Sequence, residues 1–206
     1  MQNIYNQYYT LCKTPSDINK HLPTLAKYAS ECHSVLELGV RGCVSSWAFV
    51  FGLLNNNFHN KLLFLNDIQE CNINNLLYLC SNYDSHLTIK YKWINDLLLD
   101  IPYHFDLTFI DTWHVYAQLK RELDKFSKIT NKYIILHDTT IDGIFGETIR
   151  NSWDPLLQSS QTNFPIHEIT RGIWPAVTEF LDNNTNWILL EKFENNNGLT
   201  ILKKIS

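Results

Sequence analysis

The sequence SVLELGVRGCVSSWAFVFGLL, residues 34–54, contains the features that decide the fold. It opens with an apolar run that carries one acid, Glu37, and the run breaks at Gly39. After a turn through residues 40–43, an apolar segment long enough to be a helix begins at Ser45. This order predicts a buried parallel strand, a tight turn and a helix. Glycines let such a turn approach a ligand, and a helix N-terminus offers free N–H groups, so the turn is either a binding loop or a plain connection.

The composition is that of one globular domain. The 206 residues are 45% hydrophobic, enough to bury a sizeable core, so we expect a single domain over residues 1–206. The formal net charge of -4 argues against nucleic acid as a partner. The sequence has neither a signal-peptide core nor the roughly 18 apolar residues of a membrane span. The five cysteines form no CxxC pair or zinc-like spacing, which predicts reduced thiols and a cytoplasmic location.

Strands and helices alternate along the rest of the chain. Residues 187–193 and 199–204 flank the sequence Asn-Asn-Asn-Gly, which predicts an antiparallel hairpin because Asn-Gly tolerates positive φ. The alternation predicts an α/β fold with a doubly wound, mostly parallel sheet. The predicted strands are residues 34–38, 61–65, 86–93, 106–110 and 133–136, and the predicted helices are residues 44–54, 71–82, 114–130 and 172–181.

Two regions lie outside this alternation. Residues 1–33 are expected to form an N-terminal helical segment, in which Ser16-Asp17 caps a helix that Pro23 kinks or restarts. The polar residues 139–171 are expected to form a long loop with one short helix, acting as a lid over an acceptor pocket. The aromatic side chains near the N-terminus are a candidate contact surface for a homo-oligomer: Tyr5, Tyr8 and Tyr9.

Acidic groups recur where the predicted strands end, at the edge where open α/β sheets bind ligands. Asp67 follows the second strand, where an acid can accept hydrogen bonds from a ribose diol; the alternative is a helix cap. Asp96 follows the third strand, Asp111 the fourth, and His137-Asp138 the fifth.

Asp111 and Asp138 should lie side by side because they end neighbouring strands. Two facing carboxylates repel unless one is protonated or a cation lies between them, and oxygen ligands suit Mg²⁺ or Mn²⁺. His114, three residues after Asp111, is a candidate general base for a hydroxyl; the alternative is a histidine at a helix start bonded to a carboxylate. His137 is a candidate metal ligand, and the alternative is a hydrogen-bonding role behind the metal.

With these residues in view, the chain resembles class I S-adenosylmethionine-dependent methyltransferases. It is similar in particular to metal-dependent sugar O-methyltransferases and cephalosporin-hydroxylase-like proteins. The resemblance covers most of the chain, in SDINKHLPTL, VLELGVRG, FDLTFIDTWHVYAQLKREL, KYIILHDT, GIWPAVTEFL and NNNGLTIL. It implies a seven-stranded sheet with an antiparallel inserted last strand, S-adenosylmethionine as cofactor, and a small hydroxyl acceptor such as a sugar or glycan.

The resemblance also implies roles for particular residues. It places Asp67 on the ribose, Asp96 near the adenine, and Asp111 and Asp138 on a divalent cation, Mg²⁺ or Mn²⁺, with His137 beside them. It makes Asp111 and His114 the catalytic residues, with His114 as the base. The residues expected to bind the cofactor are Glu37, Gly39, Arg41, Gly42, Ser45, Asp67 and Asp96.

The sequence departs from the family pattern at two positions, and other functions stay open. Cys43 stands where a glycine is usual, and His137 stands where an acid often precedes the second metal carboxylate, which leaves Mn²⁺ or no metal open. A nicotinamide-dependent oxidoreductase is disfavoured because the turn lacks GxGxxG. A methyltransferase for nucleic acid or protein and a catalytically degenerate scaffold are the remaining alternatives. The joint presence of Asp111, His114 and Asp138 argues against a degenerate site.

Overall fold

The computed structural model describes residues 2–81 and 86–205, and this part of the chain contains seven strands. They are β1 (Ser34–Leu38), β2 (Lys61–Asp67), β3 (Leu87–Trp93), β4 (Phe105–Ile110), β5 (Thr130–His137), β6 (Trp187–Phe193) and β7 (Leu199–Lys204). They form one sheet in the order β3-β2-β1-β4-β5-β7-β6. β1 to β5 are parallel, and β7 is antiparallel to both β5 and β6. The predicted α/β sheet with an antiparallel C-terminal hairpin is confirmed.

The helices of the described residues flank this sheet. They are α1 (Gln2–Lys13), α2 (Leu22–Ala29), α3 (Val44–Leu54), α4 (Asn74–Ser81), α5 (Tyr116–Phe126), α6 (Glu147–Arg150), α7 (Pro155–Thr162), α8 (Ile166–Ile169) and α9 (Trp174–Asn183). The predicted helix over residues 114–130 ends at Phe126, because Thr130 already begins β5. The last residue of the helix predicted over residues 71–82 lies outside the described residues.

The sheet is covered on both faces, as a parallel sheet requires. Side chains alternate along β1, so that Val35 packs with Leu22, Leu25 and Trp47 on the face covered by α1, α2, α3 and α4. Leu36 and Leu38 pack on the opposite face, which α5 and α9 cover. This alternation places Glu37 on the same face as Val35, beneath α3.

Two expectations about the irregular regions are wrong. Ser16-Asp17 caps no helix: α2 begins at Leu22, with Pro23 in its first turn, where a missing N–H leaves no hydrogen bond unmade. Residues 139–171 contain three short helices rather than one. One reason is the pair Asp154-Pro155, since Asp154 accepts hydrogen bonds from two backbone N–H groups of α7 and proline is favoured at the first helical position.

The structure also bears on the expectations about membrane spans, cysteines and the N-terminal tyrosines. No helix among the described residues is long and apolar enough to cross a membrane. All five cysteines are free thiols. Tyr8 is buried and stacked on Phe51, whereas Tyr9 is exposed, so the N-terminal aromatic segment packs partly on its own chain.

Candidate active site

A cavity of about 720 Å³ lies at the carboxyl ends of the parallel strands. Its volume is in the range of roughly 300–1,000 Å³ that is usual for ligand pockets. Glu37 and His137, by contrast with the other predicted site residues, are not part of its lining. The predicted residues that line it are Gly39, Arg41, Gly42, Ser45, Asp67, Asp96, Asp111, His114 and Asp138.

Gly39 lies between the part of the cavity that Asp67 lines and the part that Asp111 lines. It leaves β1 with φ of +89°, a conformation that residues with a Cβ rarely adopt. A Cβ built there would lie 1.9 Å from the backbone oxygen of Asp111. The backbone N–H of Asp111 donates to the Leu38 carbonyl oxygen (2.9 Å), so the ends of β1 and β4 touch at this point. Only glycine fits here.

Asp67 stabilises the turn after β1 through hydrogen bonds to its backbone. Its Oδ2 accepts hydrogen bonds from the backbone N–H groups of Val40 (2.8 Å) and Arg41 (2.9 Å), and its Oδ1 accepts one from Gln69 (2.9 Å). Burial opposes ionisation, but these three donors lower the pKa of Asp67. The carboxylate is therefore charged, lines the cavity, and keeps lone pairs for a ligand. Ribose binding by Asp67 stays a prediction, now combined with a structural role.

Glu37 lies behind the cavity, at the start of α3. It is fully buried, and its carboxyl group accepts hydrogen bonds from the hydroxyl groups of Ser45 and Ser46 (2.7 Å for Ser46). Burial raises the pKa of Glu37 to about 8. Through these two hydrogen bonds, Glu37 holds the first turn of α3 against β1. Ser45 lies between Glu37 and the cavity.

Asp96 is held by a network from α5. Both of its carboxylate oxygens accept hydrogen bonds from Gln118 Nε2 (3.0 Å each), which also donates to Glu122 Oε1 (2.9 Å). Glu122 is fully buried and takes a further hydrogen bond from Thr112 (2.5 Å). Burial and the neighbouring Asp96 raise the pKa of Glu122 well above its ordinary value. The network links the third strand's end to the segment that carries Asp111.

Asp111, His114 and Asp138 meet on the other side of Gly39. His114 Nε2 lies 3.2 Å from Asp111 Oδ1, and His114 Nδ1 lies 3.2 Å from Asp138 Oδ2. Burial disfavours the imidazolium, but the hydrogen bond to Asp111 and the charge of Asp138 raise the pKa of His114. Burial raises the pKa of Asp138, whose backbone is left-handed with φ of 56°. A non-glycine residue in this conformation is strained, a feature concentrated at functional sites.

His137 lies behind this cluster. Its Nδ1 is 3.2 Å from Asp111 Oδ1, and its Nε2 is 3.3 Å from the backbone oxygen of Asn196 in the hairpin turn. Burial opposes the charged form, but Asp111 and Asp138 raise the pKa of His137 to about 9. Because both ring nitrogens have partners, the geometry favours the hydrogen-bonding role over the metal-ligand role that was predicted for His137.

The donor set at the ends of β4 and β5 fits a divalent cation. One ligand atom from each of Asp111, His114 and Asp138 lies within 4.8 Å of the others, so a small rearrangement brings all three around one ion. Asp138 Oδ1 and His114 Nδ1 are buried without a hydrogen-bond partner among the described residues. Two carboxylates and an imidazole suit Mn²⁺ at least as well as Mg²⁺. Both histidines contact the two aspartates, but it is His114 whose ligand atom is grouped with theirs as a candidate metal site.

Sequence reasoning missed three charged residues of the segment 139–171. Asp142 is fully buried, and Arg150 binds it through two hydrogen bonds of 2.6 and 2.8 Å. Asp142 Oδ2 and Glu147 Oε2 lie 3.6 and 3.7 Å from His114 Nδ1. The spacing of Arg150 three residues after Glu147 was a usable signal, because residues three apart face each other on a helical turn.

The outer wall of the cavity is aromatic and neutral polar. The Trp113 and Phe164 rings are stacked nearly parallel with centroids 6.3 Å apart, and Gln161 and Thr162 of α7 lie beside them. Asp17, also missed from the sequence, lines the cavity and pairs with Arg41 (3.1 Å). The short helices of residues 139–171 and the N-terminal segment therefore both contribute walls.

Comparison with solved structures identifies the fold. An O-methyltransferase from Bacillus cereus in complex with SAH is 14% identical, with a TM-score of 0.59 over 98% of this chain and 89% of that one. The O-methyltransferase TomG from Streptomyces achromogenes, in complex with SAM, is 12% identical (TM-score 0.58; 94% and 82%). The N-methyltransferase NodS from Bradyrhizobium japonicum, in complex with SAH, is 14% identical (TM-score 0.57; 99% and 100%). The chain has the class I methyltransferase fold.

This fold agrees with the resemblance seen in the sequence, including the position of the antiparallel strand β7 between β5 and β6. No protein-family model and no curated protein matches the chain. In the methyltransferase fold, the Gly39 turn and Asp67 occupy the carboxyl ends of the first two strands, where open α/β sheets bind ligands.

Proposed function

We propose that the protein is an S-adenosylmethionine-dependent O-methyltransferase whose acceptor is a small hydroxyl compound, with a sugar or glycan hydroxyl favoured. One observation carries the proposal. The turn that begins at Gly39, together with Asp67, lines the same cavity as the cluster of Asp111, His114 and Asp138. The strands β1 and β4 are in backbone contact between these two parts of the cavity. The fold neighbours that were solved in complex with SAM or SAH support the choice of cofactor.

The residues present fit that cofactor. Gly39 leaves space for close approach to the backbone, and Asp67 offers a charged carboxylate beside the turn. Asp96 is fixed by Gln118 at the wall where the resemblance expects the adenine. When bound, S-adenosylmethionine supplies an electrophilic methyl group, so the protein has to align the acceptor hydroxyl and accept its proton. Alignment of this kind accounts for several kcal/mol of a barrier.

His114 is suited to hold that proton. Once protonated, the imidazolium is stabilised by Asp111 on one nitrogen and by Asp138 on the other. His137 and Asp142 hold the two aspartates and the histidine in place from behind, since each lies within 3.6 Å of one of them. A proton taken from the acceptor therefore has a stable position inside a largely buried cluster.

Asp111 and Asp138 would hold a divalent cation, with His114 as third ligand or as the neighbouring base. Such a cation would lower the pKa of the acceptor hydroxyl and would neutralise the two carboxylates. The residues favour Mn²⁺ or Mg²⁺ over softer metals, since no cysteine lies among the described lining residues.

Three considerations bear on the acceptor atom and on the alternative functions. NodS is named an N-methyltransferase, so this fold also serves nitrogen acceptors. We favour oxygen because a hydroxyl needs a base, and His114 with its aspartates provides one. The net charge of -4 disfavours nucleic acid. A degenerate scaffold has no need of a histidine held between two buried or half-buried acids.

Calorimetric titration tests the proposal. The purified protein is titrated with S-adenosylhomocysteine in EDTA, in Mg²⁺ and in Mn²⁺. We expect micromolar binding in all three conditions and a separate heat for Mn²⁺ that Asp138→Asn removes. Absence of binding at millimolar S-adenosylhomocysteine would contradict a methyltransferase function. Binding of S-adenosylhomocysteine with no measurable heat for either cation would contradict only the proposed metal site.

A further inference from the structure

We propose that the acceptor carries no phosphate or other anionic group, so that phosphorylated, nucleotide-linked and coenzyme A-linked hydroxyl compounds are excluded. This inference rests on the proposed function and narrows its substrate class to uncharged polyhydroxyl or phenolic molecules. It rests on the charges of the side chains that line the cavity and on the acidic partners of its two guanidinium groups.

The cavity is strongly negative. Its described lining includes two guanidinium groups, those of Arg41 and Arg150, and no lysine. Asp142 adds a further buried carboxylate directly behind the wall. Against these cations stand six carboxylates, those of Asp17, Asp67, Asp96, Asp111, Asp138 and Glu147. Such a cavity attracts a sulfonium or a divalent cation. With a divalent cation on Asp111 and Asp138, four carboxylates still stand against two guanidinium groups, which disfavours an anion.

Both guanidinium groups already have acidic partners. Arg150 donates two hydrogen bonds to Asp142 in a fork and lies 3.8 Å from Glu147, and this pairing raises the pKa of Arg150. Arg41 is bound to Asp17. Arg41 also belongs to the turn after β1, at the cofactor side of the cavity. A phosphate on the acceptor would therefore have to compete with these carboxylates for either guanidinium group.

The acceptor wall offers what an uncharged ring needs instead. Trp113 and Phe164 present aromatic faces, and Gln161 and Thr162 present neutral polar groups.

Titration of the loaded protein tests the inference without knowledge of the acceptor. Protein saturated with S-adenosylhomocysteine is titrated with UDP, glucose 6-phosphate and coenzyme A, with and without Mn²⁺. We expect no binding tighter than millimolar for any of them. Submillimolar binding of any one, in either condition, would overturn the inference.

Two variants make this test quantitative. Asp17→Asn removes one carboxylate of the cavity and releases Arg41, so UDP affinity should rise about fivefold or more, the effect of one unit charge at close range in water. Asp100→Asn removes an exposed carboxylate outside the lining and should leave UDP affinity unchanged. Equal affinities in the two variants would contradict control by the cavity charge. Failure of S-adenosylhomocysteine to bind at the outset would contradict the proposed function itself, which distinguishes the two failures.

Discussion

The two sides of the cavity are built by different means. On the side proposed for the cofactor, the turn after β1 is shaped by backbone: Gly39 has a positive φ, and three backbone N–H groups converge on Asp67. On the side proposed for the acceptor, charged side chains from separate segments surround His114. The difference teaches that the backbone conformation of a turn is encoded by its own glycine, whereas a charge cluster needs side chains from several separate segments.

This comparison predicts that the two sides fail separately. Asp111→Asn removes a charge from the His114 cluster, so we expect methyl transfer to fall about 10²–10⁴-fold, the usual contribution of acid–base groups. S-adenosylhomocysteine affinity should stay within about threefold, because the Gly39 turn is untouched. Initial rates and calorimetry on the same preparation give both values. Turnover at the wild-type rate would remove Asp111 from the mechanism.

Asp67→Ala is the matched variant on the cofactor side. It deletes the acceptor of three backbone hydrogen bonds, so S-adenosylhomocysteine binding should weaken about 10- to 100-fold, a loss of one or two charged hydrogen bonds. The heat of Mn²⁺ binding should persist, since Asp111 and Asp138 are unchanged. If cofactor affinity were unaltered, Asp67 would be only a brace for the turn.

Gly39 is the point where both sides are expected to fail together. In Gly39→Ala the new Cβ meets the Asp111 backbone oxygen, and the positive φ adds strain of about 1–3 kcal/mol. We expect a lower melting temperature and loss of cofactor binding. Gly42→Ala is the control, because a Cβ there has nothing within 4 Å. Equal melting temperatures for the two variants would mean that β1 and β4 are not in the contact described.

The prediction with the least bearing on catalysis concerns Glu37 and the pH dependence of stability. Its pKa is about 8 in the folded protein against 4.5 ordinarily, so the folded state holds a proton that the unfolded state releases. The free energy of unfolding therefore falls as pH rises from about 4.5 to about 8, by up to about 1.4 kcal/mol for each pH unit. Glu37→Gln, which keeps the hydrogen-bonding shape, should flatten this dependence in urea titrations. Parallel pH profiles for variant and wild type would show that Glu37 is ionised when folded.

Much of the fold followed from short-range patterns. The apolar run before Gly39 and the helix after it were predicted with the observed bounds, because hydrophobic periodicity and glycine placement are local signals. The hairpin over residues 187–204 was equally clear from its Asn-Gly turn. Only one of the three helices of residues 139–171 was expected, since helices of four to eight residues leave almost no periodic pattern.

The sequence indicated which residues line the cavity better than it indicated how their side chains are arranged. Asp67, Asp111, His114 and Asp138 line the cavity as expected from their positions after strands. Asp142 was missed because its approach to His114 depends on the turn that Asp138 begins, with an Asp142 N–H to Asp138 carbonyl hydrogen bond of 3.0 Å. A contact of this kind is formed by side chains that only the folded loop brings together.

By itself, the sequence determined which groups arrive at the sheet edge, because a strand's end and its following turn are written in consecutive residues. Tertiary structure alone decided how those groups are used. The pleat of β1 turned Glu37 under α3 and away from the cavity. The hairpin turn engaged His137 through Asn196, while the left-handed backbone at Asp138 brought that carboxylate to His114. Orientation depends on neighbours distant in sequence, and composition and periodicity do not record them.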